Sequence, residues 1–333
     1  MTVRARLLLL GALLCAACMP ASVANAAGPP LPSSASGKAG AVAPGGHERL
    51  ITRGAGPEET LVLAVRRSDR EVLRSRRIGG RWRIAPATLA GGTTGLSADG
   101  RTLAVVRPPG GNFPPADTHL AVLDARELVV RRQISLPGFF TLDAISPDGR
   151  WLYLIQYGDG NVLDYRVRAL DARTGRLAAR DIVDPREPDE QMGGLPMRRV
   201  TSRDGRWVYT LYGGGGEVFI HALDTVGRTA ACIDLEMLSS DSDLTAVRLR
   251  ASHDGRRIGV RDDGSLVATV NTRTFEVREP GGTSEGDPSS QVASRTATVT
   301  PADDDFPWLV VILAGGLAAL AVLFARRPLF KRE

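Results

Sequence analysis

Cysteine is scarce in this chain of 333 residues: there are three, and Cys15 and Cys18 both stand in an apolar N-terminal segment. Only Cys232 is left for the remainder, so no intramolecular disulfide can staple it and stability has to come from packing. Cys232 sits among Ala230, Ala231 and Ile233 and reads as a small buried residue. Histidine is nearly as rare, and His47, His119, His221 and His253 show no metal-ligand spacing. His253 reads as a solvated turn residue. No Gly-x-Ser-x-Gly elbow occurs. The run Gly213–Gly216 lacks the Lys-Ser/Thr of a phosphate loop and reads as a strand connection. Asp159-Gly160-Asn161 opens like a calcium loop, but Leu163 stands at the third ligand position. Asp262-Asp263-Gly264 reads as a hairpin turn. The sequence therefore assigns no catalytic, cofactor-binding or metal-ligating residue and implies no cofactor.

Excess charge is also missing from the body of the chain. Of 42 bases and 37 acids, two bases lie in residues 1–26 and four bases with one acid follow residue 325. Residues 27–325 thus hold 36 of each sign, and the net charge of +5 belongs to the two ends. A neutral body gives no electrostatic footprint for nucleic acid.

Those ends are apolar. Arg4 and Arg6, the stretch Leu7–Ala17 and Ala24-Asn25-Ala26 form a basic region, a hydrophobic core and a small-x-small cleavage site, the pattern of a signal peptide over 1–26. Lipidation at Cys18 is the rival processing route, although Cys15 stands where Leu is expected. Pro307–Phe324 carries no charge and as a helix reaches about 27 Å, enough to span a bilayer. Arg326, Arg327, Lys331 and Arg332 follow it, which predicts a cytoplasmic tail over 325–333 and an extracytoplasmic body. Residues 27–46 read as a flexible leader and 280–306 as a stalk, since Gly, Pro, Ser, Thr and Ala predominate in both.

Between these segments, 47–279, a phrase recurs. Ser-x-Asp-Gly-Arg stands at Ser97–Arg101, Ser146–Arg150, Ser202–Arg206 and Ser252–Arg256, with Asp-to-Asp spacings of 49, 56 and 50 residues. Asp-Gly supplies a tight turn. An apolar alternation follows each copy, as in Leu152 and Leu154, so one strand face is expected to pack inward. A second landmark ends a later strand at Asp124, Asp171, Asp224 and Asn271. Each unit then holds four antiparallel strands, and a period near 50 predicts a propeller. Leu63–Leu73 mirrors Leu120–Val129 as a degenerate fifth unit, with Glu48–Arg53 as one of its strands. Five blades are favoured, with four and six open, and Gln291–Thr300 is a candidate strand for closing the ring.

The phrase, the alternation and the Asp171-Ala172-Arg173-Thr174-Gly175 turn resemble the bacterial WD40-like propellers of the YVTN and TolB/PD40 types over about residues 60–279. Such resemblance implies an all-β propeller and a scaffold for binding. It departs from the family in lacking a Trp-Asp dipeptide at strand ends.

Function is expected where the copies differ. The Asp-Gly turns lie on one face, and connections 107–119, 184–198 and 236–245 lie on the other. The reading is a membrane-anchored, extracytoplasmic propeller that binds an envelope protein or glycan through those connections. The alternative is a lactonase-like or quinoprotein-like enzyme with a central site. Thr94, Asp143, Arg199 and Leu249, three residues before each repeated Ser, would line that channel and form no ring of like ligands.

Overall fold

The computed structural model describes residues 40–281, apart from 111–113, 159–164, 190–192, 214–216 and 240–241. The segments expected as signal peptide, stalk (save Pro280 and Gly281), membrane helix and cytoplasmic tail, and Gln291–Thr300, lie outside the described residues. Among the described residues no helix is long and apolar enough to cross a membrane.

The chain forms five four-stranded antiparallel sheets, each built from strands consecutive in sequence. Sheet 1 holds β1 (Ala41–Val42), β2 (Glu48–Gly56), β3 (Glu59–Arg66) and β4 (Val72–Gly79). Sheet 2 holds β5 (Arg83–Ile84), β6 (Thr102–Val106), β7 (Asp117–Asp124) and β8 (Val130–Pro137). Sheet 3 holds β9 (Phe140–Ile145), β10 (Trp151–Tyr157), β11 (Tyr165–Asp171) and β12 (Arg176–Ile182). Sheet 4 holds β13 (Leu195–Thr201), β14 (Trp207–Gly213), β15 (Phe219–Asp224) and β16 (Thr229–Asp234). Sheet 5 holds β17 (Arg248–Ala251), β18 (Arg257–Asp262), β19 (Ser265–Asn271) and β20 (Val277–Arg278). This is the β-propeller architecture with five blades. The leader expected over 27–46 ends sooner than the sequence suggests: Ala41 pairs with Leu50 and Val42 with Arg49, which completes sheet 1.

Each residue of the repeated phrase has a local job. The Ser hydroxyl donates to the Asp carboxylate two residues on, at 2.5–2.6 Å in all four copies. That carboxylate accepts the backbone N–H of the Arg at 2.9–3.1 Å. The Ser oxygen accepts the N–H of the residue after the Arg, at 2.8–3.0 Å. Gly takes φ of +68°, +72°, +74° and +71°, which a β-carbon would strain. The Arg carbonyl then accepts Ala125, Ala172, Thr225 or Thr272 N–H, which joins the two turns of a blade at one end. Ala43-Pro44-Gly45-Gly46-His47 is an eroded fifth copy. It keeps the Gly46 N–H to Ala43 carbonyl bond and a φ of +75°, but has lost the Ser and Asp side chains.

The expectation of one inward face holds only at the end of the array. In β10, Leu152 and Leu154 join the cluster between sheets 2 and 3, while Tyr153 and Ile155 join the one between sheets 3 and 4. A sheet sandwiched between two others buries both faces, so its strands read as nearly continuous apolar runs. In β18 the alternation is strict: Ile258 and Val260 are buried and Arg257 and Arg261 are exposed. Four clusters join successive sheets, and among the described residues none joins sheet 5 to sheet 1.

Candidate functional site

The first strand of each sheet precedes the repeated turn. Two of the channel candidates meet there. Asp143 on β9 and Arg199 on β13 form an ion pair whose side chains are 3% and 10% exposed. Arg199 also donates to the Asp143 carbonyl and, at 2.9 Å, to the Thr210 hydroxyl. Taking both charges out of water is costly, and it is offset here by hydrogen bonds on each partner. Thr94 instead bonds through its N–H to the Ala85 carbonyl, and Leu249 packs against the apolar cluster between sheets 4 and 5. The four positions therefore do not converge.

An insertion in sheet 2 reaches a sheet that is not its neighbour in sequence. Between β5 and β6 the chain makes a small excursion in which Pro86 bridges Thr93. The Thr88 hydroxyl donates to the Gly91 carbonyl at 2.6 Å. Gly91 and Gly92 both take φ of +97° there. The excursion reaches sheet 4: Leu89 N–H bonds the Pro196 carbonyl and Ala90 N–H the Met197 carbonyl, at 2.9 and 3.2 Å. Leu89 packs on the cluster between sheets 4 and 5. The sequence carried a signal for this that the repeat reading passed over, since Gly91-Gly92 is a turn dipeptide within an overlong first-strand region.

Beside the ion pair lies a buried polar group. His221 on β15 is 1% exposed, and its Nε2 has no hydrogen-bond partner among the described residues. Burial lowers its pKa to about 4, against the raising effect of Asp143 and Asp184. Tyr212, fully buried and edge-on to His221 at 6.1 Å, is pushed well above the usual phenol range by the same loss of solvent. These groups belong to the packed seam between sheets 3 and 4.

The turn ends of sheets 4 and 5 enclose a cavity of about 320 Å³, lined by Thr201, Ser202, Arg203, Tyr209, Ala251, Ser252, His253, Gly255 and Ile258. His253, expected to be only a solvated turn residue, is exposed and also lines this cavity. His119 pairs with the Ser135 hydroxyl at 2.8 Å on sheet 2. The Asp262–Gly264 hairpin forms as expected, with Arg261 donating to the Gly264 carbonyl at 2.7 Å. Cys232 is only partly buried, and its N–H bonds the Asp184 carboxylate. Among the described residues no three His, Cys, Asp or Glu side chains group as metal ligands would. The Asp159-Gly160-Asn161 and Gly214–Gly216 segments lie outside the described residues.

On the opposite face two of the three long connections are shorter than expected at one end, while the third extends over 235–247. Asp117–His119 belongs to β7, and Leu195–Arg198 belongs to β13. Their ends are tied down. Asp184 is 4% exposed and is held by Arg186, and both bond the backbone of Cys232. Leu238 and Leu244 are buried in the cluster between sheets 4 and 5.

No family model matches the chain, and no curated protein does. Among solved structures, TolB from Acinetobacter baumannii is 17% identical with a TM-score of 0.38, over 69% of this chain and 51% of that one. Dihydro-heme d1 dehydrogenase NirN, in complex with DHE, is 17% identical with a TM-score of 0.38, over 68% of this chain and 44% of that one. The β-propeller domain of Cps50 (Swd1) from Myceliophteria thermophila is 12% identical with a TM-score of 0.40, over 74% of this chain and 67% of that one. The chain thus spans about half the length of the first two proteins. TolB and other propeller proteins are its structural neighbours, and its own five four-stranded sheets carry the fold assignment.

Proposed function

We propose that this protein is an extracytoplasmic propeller, anchored by residues 307–324, that binds an envelope protein or glycan through the face opposite the Asp-Gly turns. The observation that carries this reading is the contrast between the two faces. On the turn face the four intact copies repeat the same hydrogen bonds, and variation is confined to the second position of the phrase. On the other face, connections 107–116, 183–194 and 235–247 differ in length and sequence while their ends are anchored in the core. A fixed base under variable residues suits a binding surface. The central enzyme site is the weaker alternative. Asp143, the buried acid of the first strands, is committed to Arg199, and the Pro86–Thr93 excursion is hydrogen-bonded to β13, the first strand of sheet 4.

The test is crosslinking on intact cells followed by mass spectrometry, with full-length protein and a variant whose residues 187–193 are replaced by a Gly-Ser linker of equal length. Leu195 must be kept, since it is 7% exposed and part of the core. We expect the variant to lose its crosslinked partner with its melting temperature nearly unchanged. Undiminished capture would refute the assignment of this face.

A further inference from the structure

The second position of the repeated phrase decides how the turns meet. In the first three blades it holds Pro44, Ala98 and Pro147. These are small or rigid, and they pack. A β-carbon on Gly100 would lie 2.9 Å from Pro44 Cδ, and one on Gly205 would lie 2.5 Å from Ala98 Cβ. Asp99 N–H bonds the Pro147 carbonyl at 3.1 Å. In the fourth and fifth blades the same position holds Arg203 and His253, and around Gly255 no atom of the described residues lies within 4 Å of where a β-carbon would stand. The cavity opens at this point, with those two side chains on its wall.

We infer that this cavity is a binding site for a small organic anion, a carboxylate or phosphate ester with a compact apolar body. Arg203 and His253 are both exposed donors with no hydrogen-bond or ion-pair partner among the described residues. The acids nearest in sequence are occupied: Asp204 and Asp254 each accept their own turn's Ser hydroxyl at 2.6 Å and their own turn's Arg N–H at 3.1 Å. Tyr209 and Ile258 provide an apolar floor. Burial raises the Tyr209 phenol to about 12, so it stays uncharged at neutral pH. A volume of about 320 Å³ is at the lower end of what small-ligand sites require. A guanidinium and an imidazole on the wall of one cavity supply N–H donors of the kind that bind a carboxylate or phosphate. The site is independent of the proposed partner surface, which lies on the other face.

The test is isothermal titration of the purified full-length protein with citrate and, separately, with inorganic phosphate. We expect saturable binding of at least one. Arg203→Ala and His253→Ala should each weaken it by roughly tenfold, the size of a lost charge-assisted hydrogen bond. Arg180→Ala, an exposed arginine on β12, should leave it unchanged. The linker variant of 187–193 should also bind normally, which separates this site from the partner surface. Absence of saturable binding at millimolar concentration would overturn the proposal, as would equal weakening by Arg180→Ala.

Discussion

The seam between sheets 3 and 4 and the seam between sheets 4 and 5 are built on the same repeated phrase and end differently. In the first, Tyr153 reaches across to donate to the Thr225 carbonyl at 2.8 Å. Tyr165 and Tyr212 pack at 5.7 Å, and Tyr212 and Phe219 stack at 5.4 Å. A β-carbon on Gly205 would lie 3.8 Å from Pro147 Cγ, and Asp143 pairs with Arg199. In the second, Tyr209 occupies the place of Tyr153 in the repeat but lines a cavity. Meanwhile β17 has no fully buried residue. The difference teaches that the conserved-looking part of the phrase builds each turn, whereas the residue it leaves free sets the contact between turns.

The largest expected effect tests the ion pair. Arg199→Ala should cost about 3–5 kcal/mol, because it leaves Asp143 charged and buried. Arg248→Ala, at an exposed position on the first strand of sheet 5, should cost no more than about 0.5 kcal/mol. Urea unfolding of the two variants compares them, and equal losses would erase the contrast between the seams.

The pH dependence of stability comes next. His221 is held neutral in the fold with a pKa near 4, against 6.5 when unfolded. The unfolded chain therefore binds the extra proton first. Stability should be unaffected by this group above about pH 6.5 and should fall by about 3 kcal/mol as the pH drops toward 4. His221→Gln should flatten the slope in that window, read from urea midpoints across the pH series. An unchanged slope would mean that the buried seam does not hold this imidazole neutral.

The smallest effect is the sharpest comparison. Gly205→Ala and Gly255→Ala share a left-handed backbone penalty of about 1 kcal/mol. Only Gly205→Ala should add about 1–3 kcal/mol for overpacking, since its new β-carbon meets Ala98. Ala98→Gly in the same chain should recover much of that excess. Equal melting temperatures for the two single variants would show that the turns of blades 2 and 4 do not press together.

Much of the architecture is legible in the sequence because turn chemistry is local. Ser, Asp and Gly of the phrase act within five residues, so four copies announce four turns. The Asp of the second landmark does likewise: Asp171 accepts the N–H groups of Arg173 and Thr174, both at 2.9 Å. The first blade was harder to see. Ala43–His47 keeps the turn by backbone bonding and glycine alone, and β1 is only two residues long. The candidate site was less legible still. Arg203 and His253 look like solvated turn residues in the chain, and they are 50 positions apart. The excursion was missed because a repeat reading attends to what recurs, and Pro86–Thr93 does not.

The sequence by itself determined the all-β propeller class, the four-stranded repeat and the place of four turns, since those follow from hydrogen bonds between near neighbours and from apolar periodicity; the count of five blades and the first turn came with the structure. Tertiary structure alone decided which strand faces are buried on both sides, that Asp143 meets Arg199, that Leu89 bonds into sheet 4, and that a cavity opens beside His253. Each of these depends on atoms brought together by the packing of one sheet on another, and no local pattern of residues encodes that distance.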